Sequence, residues 1–404
     1  MTMDIQKVVN SAIEYAQELI RTPSLSGEEK DIAYKIRDYL RDIGSDKVFI
    51  DELGNVIATI KGFTEDAIVF EGHMDHVPPG NIKLWKYNPY SAKIIDGKLY
   101  GRGSVDMKAA IASMIAAASI LAQKENSLTL HLIFVVHEET VEGAALRQVF
   151  DKHIERDRIR LVILGEASNL NLAIGHRGRC LVEVHLQGKT AHASMPEHGI
   201  NPIEALSEFI QQLNNNVKPK LPYHPKLGKA TITPTIIESR PKSTPQIPDE
   251  CKVILDRRMV LREHEKDIIK PILAIIEYLK RKRKIMDGHV SIMNEELRCW
   301  TGFILKCHDF FPSWILEEND PLVLRLLKVL KTIRKDTKTY IWKFSTDGVF
   351  TAGTLGIKTI GLGPGKEELA HQPNEYVEIS DMKVAIKSYI EICNTINEME
   401  LKGN

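Results

Sequence analysis

Imidazole and carboxylate side chains follow an apolar run near the start of the chain. The run Ala67–Phe70 leads into Gly72-His73-Met74-Asp75, which places His73 and Asp75 two residues apart. On extended backbone these two side chains point to the same side. A histidine that gives one ring nitrogen to a metal needs its other N–H held by an acceptor, and Asp75 has the spacing to supply one. A lone His-x-Asp pair is more often an ordinary loop histidine, so the metal hypothesis depends on further residues.

Further acidic residues follow other predicted strands. Leu130–Val136 is a nearly continuous apolar run that ends in His137-Glu138-Glu139, and Arg160–Leu164 ends in Gly165-Glu166. Strands that alternate with helices predict a mostly parallel α/β sheet, in which ligands gather beyond the carboxyl ends of the strands. With a histidine in a late loop, the candidates at this edge are His73, Asp75, Asp106, Glu138, Glu139, Glu166 and His371.

Asp106 has two explanations. It precedes the sequence MKAAIASMIAAASILAQK, which predicts a largely buried helix that begins at the Asp. An Asp at a helix start is usually an N-cap, and this role explains Asp106 alone about as well as a metal role does.

The candidate set suits a two-metal centre. Two imidazoles and three carboxylates can form a nitrogen and oxygen pocket for a pair of zinc-like ions that share one bridging carboxylate. Adjacent Glu138 and Glu139 can divide the work, since one can bind metal while the other takes and returns the proton of a bridging water. The spacing is not His-Glu-x-x-His, so a helix-borne single-zinc site is excluded.

The surrounding pattern indicates two domains. Apolar residues at helical spacing from Ile5 to Ile20 predict a first helix, and Ser26-Gly27-Glu28-Glu29 is interpreted as a capping box that starts a second helix. From about Cys180 the predicted order is β-α-β-β-α-β, the ferredoxin-like arrangement. We therefore expect a mostly parallel α/β catalytic domain over residues 1–179 and 295–404, with a ferredoxin-like domain inserted over residues 180–294.

Charge and cysteine content narrow the class of protein. The 404 residues carry 54 basic and 54 acidic side chains, so nothing favours nucleic acid or a membrane surface as partner. The five cysteines are scattered, as expected of free thiols in a reducing cytoplasm. We expect no window to reach the length of a membrane span, and the N-terminus lacks a secretion signal pattern, so we predict a soluble, cytoplasmic protein.

A family resemblance joins these motifs. The segments EGHMDHVP, GKLYGRGSVDMK, VVHEE, LGEA, TAHAS and GLGPG…AH resemble the M20 metallopeptidases, and they occur in family order across both halves of the chain. That family includes acetylornithine deacetylase, succinyl-diaminopimelate desuccinylase, aminoacylase-1 and glutamate carboxypeptidase. The segments GEASNLNLAIGHRGR, LDRRM and WKFSTDG are most similar to the selenium-metabolism-linked hydrolase branch.

The resemblance implies two divalent metal ions, with Zn²⁺ expected and Co²⁺ or Mn²⁺ as alternatives. His73 and Glu166 would hold one ion, Glu139 and His371 would hold the other, and Asp106 would bridge them.

The resemblance also assigns residues around the ions. Asp75 would orient the metal-binding histidine, and Glu138 would be the general base. The Asp106-Met107 peptide is expected to be cis.

The inserted domain would serve as lid and dimerisation domain of a homodimer. Its His192 would stabilise the tetrahedral oxyanion, and its Arg258 would clamp a substrate carboxylate, with the neighbouring Arg257 as the alternative clamp. Gly353 is expected to shape the wall of the substrate pocket.

The function that follows is hydrolysis of the amide bond of a small N-acyl amino acid. A dipeptidase, aminopeptidase or carboxypeptidase that acts on short peptides with the same metals is the alternative. A non-catalytic metal-binding protein on an enzyme scaffold is a third hypothesis, which predicts a lost general base, whereas Glu138 is present.

Overall fold

The structure of the chain is a computed structural model, which describes residues 5–403. The α-helices are α1 (Ile5–Arg21), α2 (Lys30–Asp42), α3 (Ala109–Leu121), α4 (Ala144–His153), α5 (Pro202–Gln212), α6 (Glu265–Arg281), α7 (Pro321–Ile333) and α8 (Ile379–Gly403). The strands up to the middle of the chain are β1 (Lys47–Ile50), β2 (Val56–Ile60), β3 (Ala67–His73), β4 (Lys93–Ile95), β5 (Lys98–Tyr100), β6 (Thr129–Val135), β7 (Ile159–Leu164), β8 (Leu172–His176), β9 (Gly178–Gln187) and β10 (Ala191–His192). The later strands are β11 (Tyr223–His224), β12 (Gly228–Lys229), β13 (Thr231–Arg240), β14 (Gln246–Ile247), β15 (Glu250–Met259), β16 (Asp287–Ile292), β17 (Asn294–Arg298), β18 (Ile304–His308), β19 (Phe310–Phe311), β20 (Trp314–Ile315), β21 (Thr339–Trp342), β22 (Thr359–Gly361) and β23 (Tyr376–Glu378).

These elements form two units. The first contains the chain up to His176, Glu296–Lys306 and the chain from Ile315 onward. The second contains Arg177–Glu295 and Cys307–Trp314.

The first unit is built on a mixed sheet of strand order β1-β2-β6-β3-β7-β22-β8, with β21 beside β8. The pairs β6 with β3, β3 with β7, and β7 with β22 are parallel. Every residue of β3 is buried, as expected of a central strand that begins with the apolar run Ala67–Phe70. Burial of each large aliphatic side chain of such a strand contributes about 1.5–3 kcal/mol. The predicted α/β class and mostly parallel sheet are confirmed.

Ser26 does not form the predicted capping box. Helix α2 begins at Lys30, and Glu29 at its N-cap makes no side-chain capping bond. The hydroxyl of Ser26 instead donates to Asp75 at 2.6 Å, and the Glu29 carboxylate accepts the backbone N–H of His137. The prediction was wrong because acceptors and donors distant in sequence satisfy these side chains better than the helix end does.

The helix after Asp106 begins later than predicted. Asp106 has φ −124° and ψ 90°, which is not helical, and α3 starts at Ala109. Asp106 is therefore not an N-cap. The Asp106-Met107 peptide is cis, as the family resemblance implied.

The expectation that no window has the length of a membrane span was also wrong. Among the described residues, Ser104–Leu121 has the length and the mean hydropathy, 1.5, of a span. Inside the fold 83% of this window is buried, as expected of a core helix.

The second unit has the element order β9-α5-β13-β15-α6-β16 that the sequence predicted. Its antiparallel sheet runs in the order β13-β15-β9-β16, which is a ferredoxin-like arrangement. Apolar side chains of the sheet, such as Val184 and Val253, pack with Phe209 of α5 and Ile272 of α6. Strand β19 also belongs to this unit because it pairs with β9.

Candidate metal centre

Acidic and imidazole side chains collect at the carboxyl ends of three neighbouring strands of the first unit. His73 is the last residue of β3, while Glu138 and Glu139 follow β6, and Glu166 follows β7. Because β6, β3 and β7 are adjacent and parallel, their carboxyl ends meet at one edge of the sheet.

Asp106 lies between the two imidazoles. Its Oδ1 is 2.9 Å from Nε2 of His73, and its Oδ2 is 3.0 Å from Nε2 of His371. Each imidazole also has a second carboxylate: Glu166 Oε1 is 3.4 Å from Nε2 of His73, and Glu139 Oε2 is 3.0 Å from Nε2 of His371. The five side chains thus form two adjoining groups that share Asp106.

Asp75 holds the first histidine and the following acidic pair. Nδ1 of His73 is 3.0 Å from the backbone oxygen of Asp75 and 3.5 Å from its carboxylate, so the backbone supplies the nearer acceptor. The carboxylate of Asp75 also accepts the backbone N–H groups of Glu138 and Glu139, each at 3.2 Å. With the Ser26 hydroxyl, these bonds satisfy a carboxylate that is fully buried.

Glu138 stands farther from the His73 imidazole than Asp106 or Glu166 does. Its Oε2 is 4.0 Å from Nε2 of His73, and the side chain is buried. Burial raises the pKa of Glu138 well above its ordinary value, although His73 opposes the shift, and the charges of Glu166 and Asp347 increase it.

The crowded charges shift the pKa values of the neighbouring groups. Burial, with the nearby Asp106 charge, raises the pKa values of Glu139 and Glu166 to about 7. Burial alone would lower the pKa of His73, but the charge of Glu138 and hydrogen bonds to carboxylates raise it well above its usual range.

The pKa values of His371 and Asp106 shift in opposite directions. Hydrogen bonds to Asp106 and Glu139 raise the pKa of His371 to about 10. Burial would raise the pKa of Asp106, but hydrogen bonds from both imidazoles hold it below its ordinary value.

These residues fit a metal centre. Ligand atoms of His73, Glu138 and Glu166 lie within 4.8 Å of one another, as do those of His73, Asp106 and Glu139. Carboxylate oxygens and imidazole nitrogens are ligands of Zn²⁺, and divalent cations would offset the repulsion among the buried acids.

The structure adds residues that the sequence did not single out. Glu375 and Arg102 are buried and bond to each other, and Glu71 and Asp347 are two further buried carboxylates. Burial raises the pKa of Glu71 well above its ordinary value, and the adjacent Asp347 adds to the shift. Three of the four lie inside the family-like segments EGHMDHVP, GKLYGRGSVDMK and WKFSTDG, which were the signal that could have identified them, whereas Glu375 lies in none of these segments.

Comparison with known proteins identifies the family. The model of peptidase family M20/M25/M40 matches residues 69–395. The chain belongs to this family. The YgeY protein of Escherichia coli K12 is 32% identical to this M20 chain over 383 residues, which are 94% of the chain and 92% of YgeY.

Two further relatives extend this comparison. The succinyl-diaminopimelate desuccinylase of Wigglesworthia glossinidia brevipalpis is 28% identical over 400 residues, covering 95% of the M20 chain and 98% of the relative. The structure of the M20 family metallo-carboxypeptidase Sso-CP2 from Sulfolobus solfataricus superposes with a TM-score of 0.75 at 19% identity, covering 96% of this chain and 99% of that one. The predicted family is confirmed, and the protein is an M20 metallohydrolase that acts on amide or peptide bonds.

A glycine turn of the M20 chain lies against one of the acids. A Cβ added at Gly363 would overlap the backbone oxygens of Gly165 and Glu166. Gly363 therefore allows the turn to approach the loop that positions Glu166. Gly353, predicted to line the substrate pocket, lies in the helical turn Val349–Thr354 of the same unit.

The other predicted residues of the M20 enzyme lie in the second unit. His192 ends β10 with its side chain exposed, and its Nδ1 is 2.7 Å from the Ser194 hydroxyl. Arg258 of β15 is ion-paired with Asp256 through Nε at 2.9 Å and Nη2 at 3.1 Å. The neighbouring Arg257 is buried and ion-paired with Glu263. Of the two arginines, Arg258 is therefore the more accessible.

Proposed function

We propose that this M20 enzyme is a two-metal amidohydrolase that cleaves the amide bond of N-acyl amino acids. The observation that carries the proposal is Asp106, which presents one carboxylate oxygen to each of the two imidazoles, His73 and His371. One carboxylate between two groups of ligands is the arrangement that a shared pair of divalent ions requires.

In the proposed centre, His73 and Glu166 would hold one ion, Glu139 and His371 would hold the other, and Asp106 would be shared by both. Zn²⁺ is the proposed metal, with Co²⁺ and Mn²⁺ as alternatives. When bound, such ions polarise a carbonyl group and acidify a water molecule.

Glu138 is the proposed general base. Its carboxylate lies beside the ligand groups but farther from His73 than Asp106 or Glu166 does, which favours proton transfer over metal binding. In the proposed reaction, Glu138 accepts a proton from the attacking water and returns it to the leaving amine. Asp75 keeps His73 in one orientation through contacts at Nδ1.

Residues of the second unit are proposed to act on the substrate. His192 donates a hydrogen bond to the oxygen that gains charge when water attacks the carbonyl. Arg258 clamps the substrate carboxylate through two parallel N–H groups, in exchange for its ion pair with Asp256. Arg257 is the less suitable clamp because Glu263 already engages its buried guanidinium. Gly353 is proposed to leave space in the wall of the substrate pocket.

The same unit is proposed to join two chains in a homodimer. Strand β13 lies at an edge of its sheet, and its Ile236 and Ile237 are 53% and 56% exposed. Exposed apolar side chains on an edge strand favour pairing with a second chain. This unit is proposed to serve as the lid and dimerisation domain.

The N-acyl amino acid class is favoured by the relatives in sequence. The relative named as a desuccinylase spans nearly the whole chain at 28% identity. A dipeptidase, aminopeptidase or carboxypeptidase is the second candidate, since a named carboxypeptidase shares the fold. At 19% identity that likeness shows the fold alone. A non-catalytic role is disfavoured because the proposed base and all five proposed ligands are present.

A substrate screen tests the proposal. The protein is purified metal-free, loaded with Zn²⁺, Co²⁺ or Mn²⁺, and assayed with acetylated and succinylated amino acids and with unblocked dipeptides of the same side chains. We expect metal-dependent release of the free amino acid from at least one N-acyl series. Hydrolysis of dipeptides alone would contradict the proposed substrate class and favour the peptidase alternative.

A further inference from the structure

Arg102 and Glu375 form an ion pair in the interior of the first unit. Nη1 of Arg102 is 2.5 Å from Oε2 of Glu375, and the two residues are 2% and 0% exposed. We infer that this pair positions the metal centre by fixing the loop that carries Asp106 relative to the loop that carries His371. The inference rests on the proposed two-metal centre.

The need for such a pair follows from where the ligands lie. His73 ends a strand of the sheet and Glu166 follows one, so backbone bonds between strands hold both. Asp106 and His371 lie on irregular backbone: Asp106 precedes α3 without helical angles, and His371 has a φ of +63°. These two ligands therefore need hydrogen bonds from other parts of the chain to hold them in place.

Glu375 ties down the loop of Asp106. Its Oε1 accepts the backbone N–H of Val105 at 2.7 Å and that of Asp106 at 3.2 Å. Its Oε2 accepts the backbone N–H of Gly103 at 3.2 Å, in addition to the arginine. One buried carboxylate thereby satisfies three backbone donors of the loop that ends at the proposed bridging ligand.

Arg102 connects the same point to the loop of His371. Its Nη2 donates to the backbone oxygen of His371 at 3.2 Å and lies 3.5 Å from the backbone oxygen of Pro78. Its guanidinium also lies over the ring of Trp85, 5.3 Å from the centroid. The planar fork of an arginine places Nη1 at Glu375 and Nη2 at the His371 backbone, and the single nitrogen of a lysine cannot occupy both positions.

Arg102 and Glu375 are therefore positioning residues, and we expect them to affect the affinity for one ion more than for the other. The ion proposed between Asp106, Glu139 and His371 depends on both loops. The ion proposed at His73 and Glu166 shares Asp106 with the first ion, but its other two ligands lie at strand ends and do not depend on the His371 loop. Partners of metal ligands typically change metal affinity by about 10–100-fold when they are lost.

The test uses Arg102→Lys, which keeps the buried charge next to Glu375 but loses the bond to the His371 backbone. Zn²⁺ is titrated into the metal-free full-length protein by calorimetry, and the two binding constants are resolved. We expect one of the two affinities to fall by about 10–100-fold, because only the ion at His371 loses the support of this bond, while the other changes by less than about twofold. Co²⁺ loading gives a second readout, since the absorption spectrum of one of the two ions should change.

Glu375→Gln provides a second variant. The glutamine side chain has one amide nitrogen, which donates, and one oxygen, which accepts. If the nitrogen faces the Gly103 N–H and Arg102, the hydrogen bonds to these two groups are lost, although the oxygen still accepts the others. We expect it to weaken the same ion by at least as much as Arg102→Lys does. If Glu375→Gln does not fold, the lysine variant decides the inference alone.

Arg257→Lys is the matched control, because Arg257 is likewise buried and ion-paired with a glutamate but belongs to the second unit. Unchanged affinities for both ions in Arg102→Lys would overturn the inference. So would an equal loss of both affinities, or a loss that Arg257→Lys reproduces, since either result indicates general destabilisation. Failure of the proposed function would appear differently, as wild-type protein that binds two ions but hydrolyses no N-acyl amino acid.

Discussion

The candidate residues of the two units have opposite surroundings. In the first unit, the acids and imidazoles are mostly buried and bond to one another, so that Asp75 alone contacts His73, Ser26 and the backbone of Glu138 and Glu139. In the second unit, His192 is exposed and Arg258 is partly exposed, with contacts to residues only two positions away.

This difference separates two kinds of function. Buried groups that hold one another give a rigid centre, which metal binding requires. Exposed groups with local contacts can meet a substrate and leave it again. We therefore expect changes in the first unit to alter metal binding or proton transfer, and changes in the second unit to alter catalysis or substrate capture while both ions stay bound.

The largest effect is expected from Glu138→Gln, which tests whether Glu138 transfers a proton or binds metal like the other acids of the centre. The variant should keep two bound ions while kcat falls by about 10²–10⁴, the usual contribution of a positioned acid–base group. The adjacent Glu139→Gln is the control and should release metal. Metal content and kcat are measured together, and loss of metal from Glu138→Gln would make Glu138 a ligand.

His192→Ala should lower kcat without loss of bound metal. Removal of one oxyanion donor typically lowers kcat by about 10²–10³. His198→Ala, at an exposed histidine of the same segment, is the matched control and should stay near wild type.

The proposed dimer predicts that His192 serves the partner chain. Glu138→Ala and His192→Ala proteins are mixed under conditions that allow subunit exchange. Half of the dimers are then mixed, with one complete site of two, so about a quarter of wild-type activity should return. Activity that stays at the level of the single variants, with exchange verified, would show that His192 serves its own chain.

Asp75→Asn tests whether the hydrogen bonds of the buried Asp75 carboxylate support metal binding. The amide would place an N–H group where Asp75 accepts the backbone N–H of Glu139 or the Ser26 hydroxyl. Metal affinity should fall by about 10–100-fold. Ser26→Ala removes one donor and should cause a smaller loss. Calorimetric titration of Zn²⁺ measures both, and equal affinities in Asp75→Asn and wild type would refute this role.

The smallest effect is expected from Arg258→Lys in the second unit. Loss of one of two parallel bonds should raise KM for substrates with a free carboxylate by about tenfold, with little change for the corresponding amides. Arg257→Lys is the control. Equal changes for acids and amides would show that Arg258 binds something other than the carboxylate.

Much of this picture could be predicted from residues at strand ends. The apolar runs before His73, Glu138 and Glu166 identify central strands, and parallel strands bring their carboxyl ends together. The fold class therefore followed from the pattern of apolar residues. The family motifs then supplied the ligand assignment, including Asp106 and His371, which have no strand to identify them.

Other features depend on contacts that spacing does not encode. Ser26 fits a capping box, yet it bonds to Asp75, 49 positions away. Glu375 bonds to backbone groups about 270 positions away in sequence. The role of a buried polar side chain depends on such distant partners, so the roles of Ser26 and Glu375 could not be recognised without the structure.

The central claim, a two-metal centre bridged by Asp106, is tested most directly by anomalous diffraction from crystals of the zinc-loaded protein. The account predicts two zinc peaks about 3.5–4 Å apart, with one carboxylate oxygen of Asp106 bonded to each. His73 and His371 should bind different ions, and Glu138 should bind neither. A single zinc peak, or two peaks without Asp106 between them, would contradict the account.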